Sequence, residues 1–131
     1  KELVKQTQLK VKTINTKQLV NLLKKHPNTQ IIDVRQKSEI LKDGGFIKAN
    51  RVTNIPRGIL EFQIANIVEP NETFVVHCLN GNRSSMAALR LKNLGYKNVL
   101  YYKDSFAGWK NAKLPISSLD KYPQSMLYSK I

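Results

Sequence analysis

One cysteine, Cys78, occurs in the chain, and it opens the segment HCLNGNRSS. This segment joins a strand-like TFVVH to a helix-like SSMAALRLKNLG, so the thiol lies at a strand-to-helix turn. The backbone N–H groups of such a turn, the positive end of the helix and the charge of Arg83 all favour thiolate over thiol. The pattern predicts a nucleophilic cysteine in an anion-binding turn.

The alternative is an inert core thiol, because free cysteine is among the most buried residue types. The rest of the turn favours the reactive interpretation, since a core position does not require its polar and glycine residues. The turn consists of Leu79, Asn80, Gly81, Asn82, Arg83 and Ser84. Gly81 has the backbone freedom to curl around a ligand, and Ser84 suits the N-cap of the helix. We therefore expect an open cradle around the sulfur.

The elements that position this turn are short apolar runs alternating with helical segments. We predict helices at residues 16–25 with Thr16 as cap, shortly after residue 34, across GILEFQIANI and after Cys78. Predicted strands are IIDV, VTNI, TFVVH and NVLYY. This alternation favours an α/β fold whose mainly parallel sheet is covered on both faces. Ligands of such sheets bind at the carboxyl ends of the strands, where Cys78 falls.

Further motifs accompany the cysteine turn, namely IIDVRQKSEI, GGFIKANRVTNIPRGILEF and DSFAGWKNAKLPI. Together, over residues 14–116, they resemble the ordered motifs of the rhodanese-like sulfurtransferases, whose active-site loop runs from a cysteine to an arginine. The resemblance implies a three-layer rhodanese-like fold, with a mainly parallel central sheet flanked by helices on both faces. It also implies one domain over residues 1–131, with its core at about 11–116 and a peripheral extension at each end.

The resemblance implies thiosulfate sulfurtransferase chemistry without a cofactor. The Cys78 thiolate attacks a small anionic donor, such as thiosulfate or a persulfide. The resulting Cys78 persulfide then gives its sulfur to an external thiol, cyanide or a protein. Backbone N–H groups of residues 79–83 would stabilise the sulfur anion, and Arg83 would either orient the donor or brace the loop.

Supporting roles are predicted for four residues. Asp33, Arg35 and Glu39 are expected to form an ion-pair or hydrogen-bond network that holds a strand end and the next helix. Arg57 is expected to reach the mouth of the site. His77 is predicted to pack rather than to catalyse, because adjacent residues of a strand point to opposite faces. Two distant histidines and one cysteine predict no metal site.

Two other functions are weighed against sulfur transfer. A cysteine-dependent phosphatase or arsenate reductase is disfavoured, because four residues separate Cys78 from Arg83 and the related dual-specificity phosphatases carry one more. The shorter ring suits a single sulfur atom better than a phosphate. A non-catalytic or sulfur-carrier module of a larger protein is the second alternative, and the intact loop argues against its inactive version.

Two departures from the family pattern lie outside the loop. Phe46 replaces the usual histidine, and Asp104 and Ser105 replace paired glycines. The second change is expected to place side chains at the wall beside the active-site loop.

The net charge is +13, from 22 Lys and Arg against 9 Asp and Glu. The lysines are scattered without an arginine-rich block, which disfavours nucleic-acid binding and favours a field that attracts anionic donors. No apolar run has the length of a membrane span. The chain starts at Lys1, from which we expect that a signal peptide, a preceding domain or trimmed residues came before it. A soluble cytoplasmic and an exported location both stay open.

Overall fold

The structure, a computed structural model, describes residues 11–80 and 82–118, without the side chains of Arg57, Asn82 and Arg83. Its strands are β1 Lys12–Ile14, β2 Gln30–Asp33, β3 Phe46–Ile47, β4 Arg51–Asn54, β5 Phe74–His77, β6 Val99–Tyr102 and β7 Ile116–Ser117. Its helices are α1 Thr16–Lys25, α2 Lys37–Asp43, α3 Leu60–Gln63, α4 Asn82–Asn93 and α5 Ser105–Asn111. Short 3-10 turns at Arg57–Ile59 and Ile64–Asn66 flank α3.

A parallel sheet of five strands, in the order β1-β6-β5-β2-β4, forms the centre of the fold. Strands β3 and β7 pair separately and antiparallel. Every residue of β2 and β5 is buried, as expected for central strands of a parallel sheet. Asp33 is the register partner of both Asn54 and His77, so the carboxyl ends of three neighbouring strands lie side by side.

Alternate residues of the strands pack into two cores, one on each face of the sheet. The first core joins the sheet to α3 and α4 and includes Ile32, Leu60, Val76, Cys78, Ala87 and Leu91. The second joins it to α1, α2 and α5 and includes Leu19, Ile31, Ile40, Val75, Leu100 and Trp109. The predicted α/β architecture, a mainly parallel sheet flanked by helices on both faces, is confirmed.

Two predicted helix boundaries differ from the structure. Thr16 is the first residue of α1 rather than its cap, because the side chain of Asn15 accepts the capping hydrogen bond from the Gln18 N–H at 2.9 Å. The segment GILEFQIANI is not one helix but α3 between two 3-10 turns. Its β-branched isoleucines and Gly58 have low helix propensity, which agrees with a broken helix anchored by buried side chains.

Candidate active site

Cys78 directly follows β5 at the carboxyl edge of the sheet, on the face covered by α4. Its Sγ atom accepts a hydrogen bond from the Ser84 N–H at 3.3 Å and lies 3.3 Å from the Ser84 hydroxyl oxygen. The first N–H groups of a helix have no partner within the helix, and the sulfur serves as an acceptor for one of them. Contacts of this kind stabilise negative charge on sulfur.

The prediction that Ser84 is the N-cap of α4 is wrong. The helix begins at Asn82, so Ser84 is its third residue. The last polar residues of the turn already have helical backbone angles, and this brings Ser84 into the first turn of the helix. As a result, both its N–H and its hydroxyl lie beside Cys78.

The thiol is fully buried, whereas the sequence predicted an open cradle. Cys78 belongs to the same core cluster as Val76 and Ala87, because the end of β5 runs beneath α4. Leu79 is half-buried and Asn80 is exposed. Cys78 therefore combines the packing expected of a core thiol with the polar contacts expected of a reactive one.

Three predicted members of the loop fall wholly or partly outside the described residues. Gly81 is not described, and nothing is described of the side chains of Asn82 and Arg83. Their predicted roles in binding the donor stay predictions.

The start of α5 holds the turn from its other side. The Phe106 N–H donates to the Cys78 carbonyl oxygen at 2.9 Å, and the Ala107 N–H donates to the Leu79 carbonyl oxygen at 2.9 Å. The Cys78 N–H in turn donates to the Ser105 hydroxyl oxygen at 3.2 Å. Both backbone polar groups of Cys78 are thus bonded to the first turn of α5.

Asp104 and Ser105, the two departures from the family pattern, face different neighbours. Ser105 lies against Cys78, as expected for a residue at the wall of the loop. Asp104 does not lie there, because its carboxylate accepts hydrogen bonds from the N–H and the hydroxyl of Thr16, each at 2.9 Å. Its side chain ties the start of α5 to the start of α1.

A buried polar network supports the strand ends below the loop. Arg35 and Asp33 form a fully buried ion pair at 2.6 Å. The same guanidinium lies 3.4 Å from Asp43 and donates to the Gly45 carbonyl oxygen at 2.8 Å. The side-chain amide of Asn54 donates to the carbonyl oxygens of Asp33 and Arg35 at 2.8 and 2.9 Å. The predicted ion pair is present and joins the end of β2 to α2.

Glu39 lies on the helix that follows β2, as predicted. It lies in the first turn of α2 and accepts a hydrogen bond from the Gln36 N–H at 2.9 Å, as in a capping box. Asp43, at the other end of the same helix, contacts Arg35. Sequence reasoning missed Asp43 and Asn54. The position of Asn54 at the end of an apolar strand parallel to the one that carries Asp33 was the available signal.

A sequence profile of the rhodanese-like domain matches residues 15–112. The chain belongs to the rhodanese-like domain family. A rhodanese domain-containing protein of Drosophila melanogaster is 33% identical over 96 residues, which cover 64% of this chain and 84% of that protein.

Solved structures share the fold of this rhodanese-like domain. The polysulfide-sulfur transferase of Wolinella succinogenes superposes with a TM-score of 0.76 at 23% identity, over 92% of this chain and 88% of that one. A protein of unknown function from Rhodopseudomonas palustris, described as a possible tyrosine phosphatase, gives a TM-score of 0.74 at 28% identity, over 87% and 90% of the two chains. At 23% identity the likeness to the transferase concerns the fold alone.

His77 lies on the face of the sheet opposite to the thiol, as the alternation of strand residues predicts. Its Nδ1–H donates to the Cys78 carbonyl oxygen at 3.0 Å, and its ring centroid is 6.3 Å from that of Tyr102. Its Nε2 is 3.7 Å from Asp33 and has no hydrogen-bond partner within the described residues. His77 therefore packs below the turn and holds its backbone.

The charges of this buried cluster affect one another. Burial lowers the pKa of His77, and the Arg35 guanidinium adds to the effect, while Asp33 opposes it. Burial also acts to raise the pKa of Asp33, but the charge and the hydrogen bonds of Arg35 hold that pKa below its usual value. The arrangement favours a neutral imidazole beside an ionised carboxylate.

The other predicted features of this rhodanese-like domain lie away from the sulfur or outside the described part. Arg57 opens the 3-10 turn after β4, and its side chain is not among those described. Within residues 11–80 and 82–118, no three His, Cys, Asp or Glu side chains are grouped so that they would hold a metal ion. The helices of the same ranges are all too short or too polar to cross a membrane.

Proposed function

We propose that this rhodanese-like domain is a sulfurtransferase that moves a sulfane sulfur from a donor such as thiosulfate to a thiophilic acceptor through a Cys78 persulfide. The observation that carries the proposal is the contact of the Cys78 sulfur with the N–H and the hydroxyl of Ser84 at the start of α4. Membership of the rhodanese-like family supports sulfur transfer as the class of reaction.

The first step loads the cysteine. The Cys78 thiolate attacks the outer sulfur of thiosulfate, and a new S–S bond forms. The S–S bond of the donor breaks, and its electron pair leaves with sulfite. Because the sulfur is fully buried, loading requires a movement that exposes it before the donor can approach.

The second step discharges the persulfide. Cyanide or an external thiolate attacks the outer sulfur, the S–S bond breaks, and its electron pair returns to Cys78 as thiolate. These 131 residues contain no second cysteine, so an acceptor thiol comes from outside them.

The contacts of the sulfur act in both steps. Ser84 and the positive end of α4 stabilise the thiolate as the nucleophile of loading and as the leaving group of discharge. Backbone N–H groups of residues 79–83 surround the outer sulfur in this proposal. Arg83 either attracts the anionic donor or braces the loop.

Intact-mass measurement tests the proposal. The wild type and Cys78→Ser are incubated with thiosulfate and then with cyanide. We expect the wild type alone to gain the mass of one sulfur atom, and to lose it to cyanide with release of thiocyanate. Cys78→Ser is the matched control, because a serine oxygen can still accept the hydrogen bond from Ser84 and preserve the fold.

Two results would favour the other functions. If the wild type gains no sulfur from thiosulfate or from glutathione persulfide, the domain is a non-catalytic module that binds a partner. If it hydrolyses p-nitrophenyl phosphate and Cys78→Ser does not, the protein is a cysteine-dependent phosphatase.

A further inference from the structure

Ser105 has an unusual backbone for a residue with a side chain. Its φ is +54°, in the left-handed region that the Cβ atom disfavours, and the residue is fully buried. Lys113, with φ of +58°, is the other such residue in the described part of the chain, and it is exposed. A strained backbone persists where the surrounding structure fixes it, and such residues concentrate at functional sites.

The contacts of the Ser105 hydroxyl indicate what fixes this backbone conformation. Its oxygen accepts a hydrogen bond from the Cys78 N–H at 3.2 Å, and its hydrogen is donated to the Tyr102 carbonyl oxygen at 2.9 Å. The same oxygen lies 4.0 Å from the Cys78 sulfur. A hydroxyl has a single hydrogen, so the Tyr102 carbonyl and the sulfur are competing acceptors for it.

We propose that Ser105 is a positioning residue for the Cys78 sulfur. It holds the cysteine through the backbone N–H, and it turns its hydroxyl hydrogen from the Tyr102 carbonyl toward the sulfur when the sulfur carries negative charge. Hydrogen bonds to a charged group are stronger than those to a neutral one. The rotation of the Ser105 hydroxyl toward the sulfur is therefore favoured when Cys78 is a thiolate. The inference rests on the proposed sulfur transfer and adds a second donor, from α5, to that of Ser84.

Loss of the Ser105 donor should affect the rates of the two half-reactions differently. During discharge the electron pair returns to the sulfur, so loss of the Ser105 donor makes Cys78 a poorer leaving group. During loading a less stabilised thiolate is less populated but more nucleophilic, and the two effects oppose each other. We therefore expect discharge to slow by about tenfold and loading to change less.

The test uses two variants of Ser105 that differ in backbone strain. Ser105→Ala keeps the strained Cβ and loses the hydroxyl, whereas Ser105→Gly loses the hydroxyl and relieves the strain. Lys113→Gly is the control, because it relieves a similar strain at an exposed position. Thiolate formation is followed by ultraviolet absorbance against pH, with Cys78→Ser as baseline. Single-turnover discharge to cyanide is measured on persulfide-loaded protein.

We expect both Ser105 variants to form the thiolate at higher pH and to discharge slowly, and we expect Lys113→Gly to behave as the wild type. A merely structural role would make Ser105→Gly resemble the wild type, and that result, or wild-type behaviour of both variants, would overturn the proposal. The absorbance titration requires no sulfur transfer. A wild type that takes up no sulfur, with Ser105 variants that still shift the titration, would contradict sulfur transfer and support the role of Ser105.

Discussion

At the scale of single residues, the sulfur of Cys78 accepts a backbone hydrogen bond at the start of a helix, as the oxygen of a capping side chain does. It accepts the N–H of Ser84, the third residue of α4, much as a serine or aspartate oxygen accepts an N–H from an N-cap position. The same contact therefore serves the stability of the helix and the charge on the sulfur. A negative charge at this end of a helix gains typically 0.3–1 kcal/mol, which is roughly a two- to fivefold change in an equilibrium. Stability and reactivity of this turn are thus coupled.

His77 predicts how stability depends on pH. Its pKa is lowered in the folded state from 6.5, so the unfolded chain binds more protons as the pH falls below about 6.5. The free energy of unfolding should therefore decrease from neutral pH toward pH ~5, and His77→Gln should remove this part of the decrease. Tyr102, its ring neighbour, stays neutral, because burial raises the pKa of Tyr102 to about 12. Urea denaturation at several pH values measures the effect.

The control for this prediction is His26→Gln, which replaces an exposed histidine at the end of α1. It should leave the dependence on pH in place. Asp33 contributes in a separate range, because its lowered pKa makes stability fall with pH only below about 3.8. A His77→Gln protein that keeps the full decrease above pH ~5 would contradict the assignment.

At the scale of elements, the first turn of α5 leaves too little room for one additional methyl group. A Cβ atom at Gly108 would lie 2.4 Å from the Cβ of Asp104, whose carboxylate binds Thr16. We expect Gly108→Ala to cost about 1–3 kcal/mol of unfolding free energy, despite the better helix propensity of alanine. The shift should also slow sulfur transfer, because Ser105 and Phe106 hold Cys78. Urea denaturation and discharge to cyanide measure the two effects.

Gly58→Ala is the matched control, because a Cβ atom at that position would meet no atom within 4 Å. It should leave stability unchanged or raise it slightly, since alanine reduces the freedom of the unfolded chain. Equal effects of the two substitutions would show that α5 tolerates the extra methyl group.

The elements that sequence reasoning found are those with a local signal. The strands came from short apolar runs, and the Asp33–Arg35 ion pair joins residues two positions apart. The contacts that complete the site are distant along the chain. Ser105 and Cys78 are 27 positions apart, and Asp104 and Thr16 are 88 apart, so no spacing pattern predicts them. The start of α4 was missed because its first residues are polar and resemble a loop.

At the scale of the whole molecule, the site is held from both faces of the sheet. Ser84 of α4 approaches the sulfur from the face that packs on the first core, whereas α5, which packs on the second core, binds both backbone polar groups of Cys78. The guanidinium of Arg35 stacks on the Phe106 ring, 3.9 Å from its centroid, and links the polar network to α5. A substitution in the core on either face of the sheet should therefore affect the position of Cys78.

The net charge of +13 predicts how the rate of encounter with anionic substrates depends on ionic strength. A positive field raises the encounter rate with anions, and salt shortens its range from about 30 Å at 0.01 M to about 8 Å at 0.15 M. Loading at limiting thiosulfate should therefore slow as ionic strength rises. Alkylation of Cys78 provides a matched pair of probes, anionic iodoacetate and neutral iodoacetamide. We expect salt to slow iodoacetate and leave iodoacetamide unaffected. If salt slows both reagents equally, it acts on exposure of the buried thiol, and the charge of the molecule does not steer its donors.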